Sequence, residues 1–213
     1  MRTPLIRKTD DEIPSSNIKE KAVFTPLGAS NHSATEREIH DYYATDPRAA
    51  ELLLEVENFS TFIWEPACGE GHLAKVFERA GYKVFSSDLI YRGYCSRYGF
   101  KQSFDFMMYD GRFDGDIVTN PPYTKGAEFV EKAIETITDG HKVAMFLKLQ
   151  FLEGQKRRKF FEKYPPRTIY VLSSRIKCAK NGDFDSIGSS AVAYAWYVWD
   201  KGFTGAPQIR WIN

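Results

Sequence analysis

Asn120-Pro121-Pro122-Tyr123 brings together the residue types needed to grip a planar amino group. An Asn side-chain oxygen accepts a hydrogen bond from an N–H donor. Pro121 and Pro122 have a restricted φ and no N–H, which favours a stiff turn whose carbonyls remain free to accept. Two acceptors converging on one amino group draw its lone pair out of conjugation and make it nucleophilic. Tyr123 adds an aromatic face on which a base or other flat group can stack, worth about 1–3 kcal/mol per base. Taken alone, the four residues read equally well as a proline turn closing a strand, and their surroundings decide. Residues 115–119 are a short β-type run and a helical pattern follows the turn. The turn therefore falls at the carboxyl end of a strand, the edge where open α/β sheets bind ligands.

A second constellation lies upstream in Glu65-Pro66-Ala67-Cys68-Gly69-Glu70-Gly71, a glycine-containing turn between a strand and a helix. Glycines there admit positive φ and close approach of the backbone to a ligand. A dinucleotide site would use such a turn to cradle phosphate at the helix N-terminus. Here the spacing is only G-x-G, and Glu65 and Glu70 flank it. Carboxylates disfavour a pyrophosphate and suit a cationic or neutral ligand, which points to a sulfonium cofactor rather than NAD. Asp88, 19 residues after Gly69, ends the next strand and is placed to accept from ribose hydroxyls. Asp105 and Phe106 are placed to hold an adenine, the acid accepting from its amino group and the ring covering a face. Each acid alone reads as a solvated strand end; their order on successive strands favours a site.

The elements that must position these residues follow from periodicity. Asp46-Pro47 starts a helix that runs through Ala50, Leu53 and Leu54 toward Glu57. Residues 62–64 form a buried-type strand; Leu73, Val76, Phe77 and Ala80 recur at helical spacing, and Gly81 stops that helix. Residues 84–88 are the second strand, residues 102–104 a short third, and residues 115–119 the fourth. Phe129, Ala133, Ile134 and Ile137 face the core from the next helix, and residues 143–147 are the continuous apolar run of a parallel strand. A basic helix spans 155–163 and ends at Pro165-Pro166. Residues 169–172 and 191–199 close the pattern as two strands joined by a polar loop. The alternation predicts an α/β, Rossmann-like, doubly wound, mostly parallel sheet of seven strands with an antiparallel C-terminal hairpin at its edge.

Residues 1–35, rich in Pro, Ser, Thr, Asn and charge, read as a flexible arm ahead of one domain over 36–213. The 213 residues suffice for a substantial core, and 43% hydrophobic content argues against disorder. A formal net charge of +1 excludes a global basic field, so any nucleic-acid surface must be local. Cys68, Cys95 and Cys178 are widely spaced and odd in number, which suggests neither a zinc site nor a disulfide framework. No apolar run reaches the length of a membrane span and the start is polar, so a cytoplasmic protein that needs no membrane and no metal is expected.

Glu-Pro-Ala-Cys-Gly-x-Gly followed by Asn-Pro-Pro-Tyr resembles the class I S-adenosylmethionine-dependent methyltransferases, and among them the N6-adenine DNA methyltransferases. Residues 42–47 (Tyr-Tyr-Ala-Thr-Asp-Pro) resemble that family's N-terminal cofactor segment, and the likeness spans roughly residues 40 to 200. It implies S-adenosyl-L-methionine as cofactor. Tyr43, Thr45, Glu65, Ala67 and Gly69 would line its methionine portion, Asp88 its ribose, and Asp105 with Phe106 its adenine, while Pro66, Gly71, Leu89 and Asn120 complete the set. Asn120 and the Pro121 carbonyl would grip N6 of an adenine flipped out of DNA, with Pro122 stiffening the turn and Tyr123 stacking on the base.

Three readings of the substrate stay open. The Asn-Pro-Pro-Tyr turn also occurs in RNA amino-base and protein-glutamine methyltransferases. Family members of this motif order carry a target-recognition region after the core, whereas here about a dozen residues follow the last expected strand. A cofactor-binding subunit with a separate specificity partner is the third reading. Lys156, Arg157 and Arg158 could grip phosphate from the basic helix or simply form its solvated face over Phe160 and Phe161. Lys180, in the loop 177–190, could enter a groove or merely close a hairpin. Tyr194, Trp196, Tyr197 and Trp199 are expected in the core, and His40, His72 and His141 show no ligand spacing.

Overall fold

The computed structural model describes residues 43–100, 102–176, 178–179 and 192–213. The arm expected over residues 1–35, His40 and Lys180 lie outside the described residues. Strand residues alternate between two apolar layers, and this alternation builds the fold. On one face Ile63, Val84, Val118, Ala144, Phe146, Tyr170, Trp196 and Val198 meet the buried sides of α1 (Arg48–Leu54) and α2 (Ala74–Arg79). On the other, Trp64, Ile117, Val143, Met145, Ile169, Tyr197 and Trp199 meet Phe129, Val130 and Ala133 of α3 (Gly126–Thr136) and, more loosely, Phe160 and Phe161 of α4 (Gln155–Lys163). A sheet covered on both sides needs apolar residues at every position, which is why the central strands read as unbroken hydrophobic runs.

Beyond a two-residue strand β1 (Ala44–Thr45), the main strands are β2 (Phe62–Glu65), β3 (Lys83–Ser86), β4 (Asp116–Thr119), β5 (Lys142–Lys148), β6 (Thr168–Leu172), β8 (Tyr194–Asp200) and β9 (Gln208–Ile212). They form one seven-stranded sheet in the order β3-β2-β4-β5-β8-β6-β9. The pairs among β3, β2, β4 and β5 are parallel; β8 runs antiparallel to both β5 and β6, and β9 lies parallel to β6. Strand β1 stands apart, pairing antiparallel with β7 (Cys178–Ala179), Thr45 opposite Cys178. Among the described residues no helix is long and apolar enough to cross a membrane.

The seven-stranded, mostly parallel sheet is the one the sequence predicts, but two strands differ. The strand expected over 102–104 does not form. Phe104 N donates to Asp88 O, beyond the end of β3, so the segment passes across the carboxyl end of that strand instead of running beside it. Stacking of Phe100 on Phe104, with ring centroids 5.0 Å apart, holds the link in that path. The seventh strand is β9, made from the dozen residues read as a tail. Strand β8 lies between β5 and β6 and β9 takes the edge beside β6, so the antiparallel β6–β8 pair is interior rather than at the edge, and the large aromatics Trp196, Tyr197 and Trp199 of β8 are fully buried, as expected. Glu57 is also not helical. It lies past α1, buried, where Tyr170 and Arg167 donate to Oε1 at 2.6 Å each and Lys142 to Oε2 at 3.0 Å. Burial alone would raise its pKa, but these three donors outweigh it and hold the carboxylate below its usual value.

Candidate active site

A cavity of about 330 Å³ opens over the carboxyl ends of β2, β3 and β4. Most of the site residues read from the sequence line it: Tyr43, Thr45, Glu65, Pro66, Ala67, Asp88, Leu89, Asp105, Phe106 and all four residues 120–123. Residues separated by some eighty positions are thus brought to one edge, because parallel strands end together there.

Asn120 is the best-defined side chain of the site. Its Nδ2 donates to Thr45 Oγ1 at 2.7 Å and, more weakly, to Tyr43 O at 3.4 Å. A backbone carbonyl can only accept, so it fixes the amide nitrogen toward β1 and the oxygen away from it. That oxygen, Oδ1, is shut off from solvent and has no hydrogen-bond partner among the described residues. Pro122 O accepts from Lys125 N as a short 3-10 turn begins, while no hydrogen bond reaches Pro121 O among the described residues. Among the described residues, two acceptors of the turn are therefore unengaged.

Glu65, at the end of β2, is the second side chain with an unused oxygen. Its Oε2 is buried without a partner among the described residues, while the Ala74 amide hydrogen-bonds the carboxylate. Burial, with the nearby charges of Asp88 and Glu78, pushes its pKa well above the usual carboxylate range despite that amide. A buried unpartnered carboxyl oxygen is costly unless a donor or cation arrives. The donor set thus fits a ligand that brings a positive charge, and fits a phosphate poorly.

Asp88 is engaged differently. Its Oδ2 accepts from Gly69 N at 2.8 Å and its Oδ1 from Ile90 N at 2.9 Å, clamping the loops after β2 and β3 together. Each oxygen keeps a further lone pair for a ligand hydroxyl. Gly69 and Gly71 stand behind the lining, with φ of 53° and 75°. A Cβ on Gly71 would sit 2.4 Å from the Tyr94 ring, so packing accounts for that glycine without a ligand. Asp105 caps the 3-10 turn of residues 106–108 through Met107 N at 2.9 Å and is exposed at the cavity wall. Phe106 is buried, edge-on to Trp64 at 5.2 Å. Leu89, 47% exposed, presents apolar surface at the cavity, where a ligand would cover it.

Tyr123 is held on several sides. Its ring stacks on Tyr43, lies near Tyr194, and has Lys148 Nζ 4.8 Å from its centroid. Burial raises the pKa of its hydroxyl, which lies 3.5 Å from Cys178 Sγ, and burial likewise raises that of the Cys178 thiol. Cys68 is pushed up too, by burial and then by Glu65 and Asp88, so neither cysteine is a ready thiolate. Among the described residues no cluster of His, Cys, Asp and Glu could hold a metal.

Two features were not read from the sequence. His72 lines the cavity and lies 3.2 Å from Glu70; only its position just after the Gly-x-Gly turn could have signalled this. Lys148 ends β5 beside the turn, a place discernible only once β5 is aligned with β4. The basic helix is resolved residue by residue: Lys156 is exposed, Arg158 is tied to Glu162 at 3.0 Å, and Arg157 alone folds inward, over the Phe151 ring at 4.0 Å.

No protein-family model matches the sequence, and no curated protein does. Solved structures of similar fold exist. One, from Agrobacterium tumefaciens and predicted to be an O-methyltransferase, superposes with a TM-score of 0.55 at 13% identity over 78% of this chain and 85% of that one. A Listeria monocytogenes protein assigned to the class I S-adenosylmethionine-dependent methyltransferases gives 0.53 at 14% identity, over 82% and 66%. A Vibrio vulnificus protein assigned as a modification subunit of a type I restriction enzyme gives 0.52 at 16% identity, over 78% of this chain but only 45% of that one. The chain thus spans about half of that subunit's length. At such low identity these likenesses show the fold alone: the Rossmann-like α/β arrangement of the class I methyltransferases.

Proposed function

We propose that this chain is an S-adenosylmethionine-dependent methyltransferase acting on an exocyclic amino nitrogen, N6 of adenine in DNA. The carrying observation is the aim of Asn120. Its nitrogen is engaged by Thr45 and Tyr43, leaving a buried oxygen without a partner at the carboxyl end of β4. An amino or hydroxyl donor satisfies that oxygen, whereas a carbonyl or hydroxylate oxygen does not, and a second acceptor at Pro121 O suits the two N–H groups of an amino nitrogen. The bound cofactor supplies an electrophilic methyl group carried by a sulfonium.

The residues do the rest by position. Glu65 meets the positive charge of the donor's methionine end, Asp88 accepts from its ribose, and Leu89 and Phe106 give it apolar contact. Asn120 Oδ1 and Pro121 O take the two N–H groups of the target, turning its lone pair toward the methyl. No base is required beforehand, because an N-methylated ammonium is acidic enough to lose its proton to water. Orientation in a water-poor cleft supplies most of the acceleration. A base inside a duplex must be extruded to reach this turn, at a cost of a few kcal/mol. Tyr123 then stacks on it, which requires Lys148 to leave the ring. The modification subunit among the fold neighbours also makes a separate specificity partner part of this reading.

Incubation with methyl-tritiated S-adenosylmethionine and separate DNA, RNA and protein pools tests the proposal. Label is expected in DNA, as N6-methyladenine, and to vanish with Asn120→Ala while cofactor affinity stays within a few-fold. Label in protein alone, or undiminished turnover of the variant, would overturn it.

A further inference from the structure

A second depression adjoins the first and shares Tyr123 with it; Lys148, Phe151, Gly154 and Arg157 form the rest of its working surface. Its volume of about 360 Å³ is comparable to that of the main cavity. Two cations face it. Lys148 Nζ lies over the Tyr123 ring at 4.8 Å, and the Arg157 guanidinium over the Phe151 ring at 4.0 Å. Neither makes an ion pair among the described residues, whereas the neighbouring Arg158 and Lys163 are bound to Glu162 and Glu131. The backbone favours this placement. Gly154 takes φ 108°, a conformation that side chains rarely adopt, and so turns the chain sharply into α4, whose first turn carries Arg157. Two exposed acids share this region: Glu153 lines the depression and Glu128 lies close enough to act on the charge of Arg157.

We infer that this groove binds the phosphodiester backbone of a nucleic-acid strand next to the target base, with Lys148 and Arg157 as its phosphate ligands. The inference rests on the amino-methylation reading and specifies its substrate. A nucleotide chain places an anion one unit away from every base, so a base in the first cavity puts a phosphate at its boundary. Tyr123 forms that boundary. A glutamine side chain in a protein carries no such obligatory neighbouring charge and would leave both cations unmatched. Lys148 changes partner as the strand enters, passing from the Tyr123 ring to a phosphate as the base takes its place. With a formal net charge of only +1 overall, a local pair of cations that form no ion pair among the described residues is the form such a surface must take.

The test is a fluorescence-anisotropy titration of the full chain with a labelled single-stranded oligodeoxynucleotide across a range of salt. Each phosphate contact with a single strand contributes about 0.7 to the slope of log affinity against log salt. Lys148→Gln with Arg157→Gln should lower that slope by about 1.4 and weaken binding on the order of tenfold at moderate salt. Arg79→Gln with Arg210→Gln removes equal charge on other elements and should leave the slope unchanged, and Lys148→Arg alone should keep both slope and affinity near those of the unsubstituted chain. Unfolding midpoints and a cofactor titration confirm that each variant is folded.

An unchanged slope in the double groove variant would overturn the groove while leaving the methylation reading intact. Equal affinity for inorganic phosphate, a mononucleotide and the oligomer would also overturn it, since a strand site must favour the strand. If the protein labels only a protein pool, the methylation reading in DNA falls, and the same slope measurement still decides the groove by itself.

Discussion

The polar side chains of the cavity divide into two regions by how their oxygens are satisfied. Asp88 and Asp105, on the β3 side, already accept from backbone amides, Asp88 from the loops after both β2 and β3 and Asp105 from its own turn. Glu65 and Asn120, at the ends of β2 and β4, each keep an oxygen buried without a partner among the described residues. The first pair shapes the site and would contribute to binding in addition. The second pair is incomplete until a ligand arrives, and incompleteness of that kind is unfavourable to the folded chain. The difference separates residues whose loss should harm stability from those whose loss should harm only function.

Four substitutions can break or sharpen that distinction. Asp88→Ala should do both kinds of harm at once, lowering stability by about 1–3 kcal/mol as two amides lose their acceptor, and abolishing measurable cofactor binding; thermal unfolding and calorimetric titration report the two effects. Glu65→Gln should separate them. Cofactor affinity should fall roughly 10–100-fold, the value of a charge-assisted hydrogen bond, while stability at pH 8 rises by on the order of 1 kcal/mol. The sign follows from linkage: a carboxyl whose folded pKa is raised binds more protons when folded, so its contribution to stability is retained at low pH and lost as pH climbs from the unfolded value through the folded one. For the same reason cofactor affinity of the unsubstituted chain should increase with pH over that window, with a proton released on binding. A loss of stability in Glu65→Gln would refute the division.

Thr45→Val should lower turnover by about tenfold or less, the worth of one hydrogen bond, with little change in cofactor affinity, because it frees Asn120 to rotate. Asp105→Ala should have the smallest effect, a two- to threefold loss of cofactor affinity, since the carboxylate is exposed and its main bond only caps a short turn.

How far the chain could be read in advance depends on how local each signal is. Strands β2, β4 and β5 were legible because Ile63–Trp64, Ile117–Val118 and Val143–Leu147 are apolar on both faces. The strand expected at 102–104 was not there, because two aromatic rings stacked on each other instead of packing on a sheet. Strand β9 was invisible for the opposite reason: Ile209 and Trp211 are exposed at an edge, so the segment lacks the periodicity of a buried strand. Within the site, Glu65, Asp88 and Asn120 could be singled out because each stands at or just past a strand end, whereas Asp105 and Phe106 line the cavity from a 3-10 turn. The bond from Asn120 to Thr45 spans 75 residues, and nothing in either segment announces the other. Lys148 likewise has no motif. Its importance arises from the register that sets Thr119 beside Met145 and so brings the ends of β4 and β5 together.

The small ribbon of β1 and β7 has a consequence for how the proposed activity should fail when the chain is heated. It holds Thr45, and through it the aim of Asn120, yet it consists of two paired residues outside the main sheet. A two-stranded ribbon of that size has little stability of its own. It depends on α1, which is pinned by Trp196 Nε1 donating to Ala49 O at 2.8 Å. Local opening of such a unit requires far less free energy than unfolding the seven-stranded sheet. Amide exchange should therefore be faster in residues 44–45 than in β4 or β5, and inactivation should precede the melting of the sheet by several degrees.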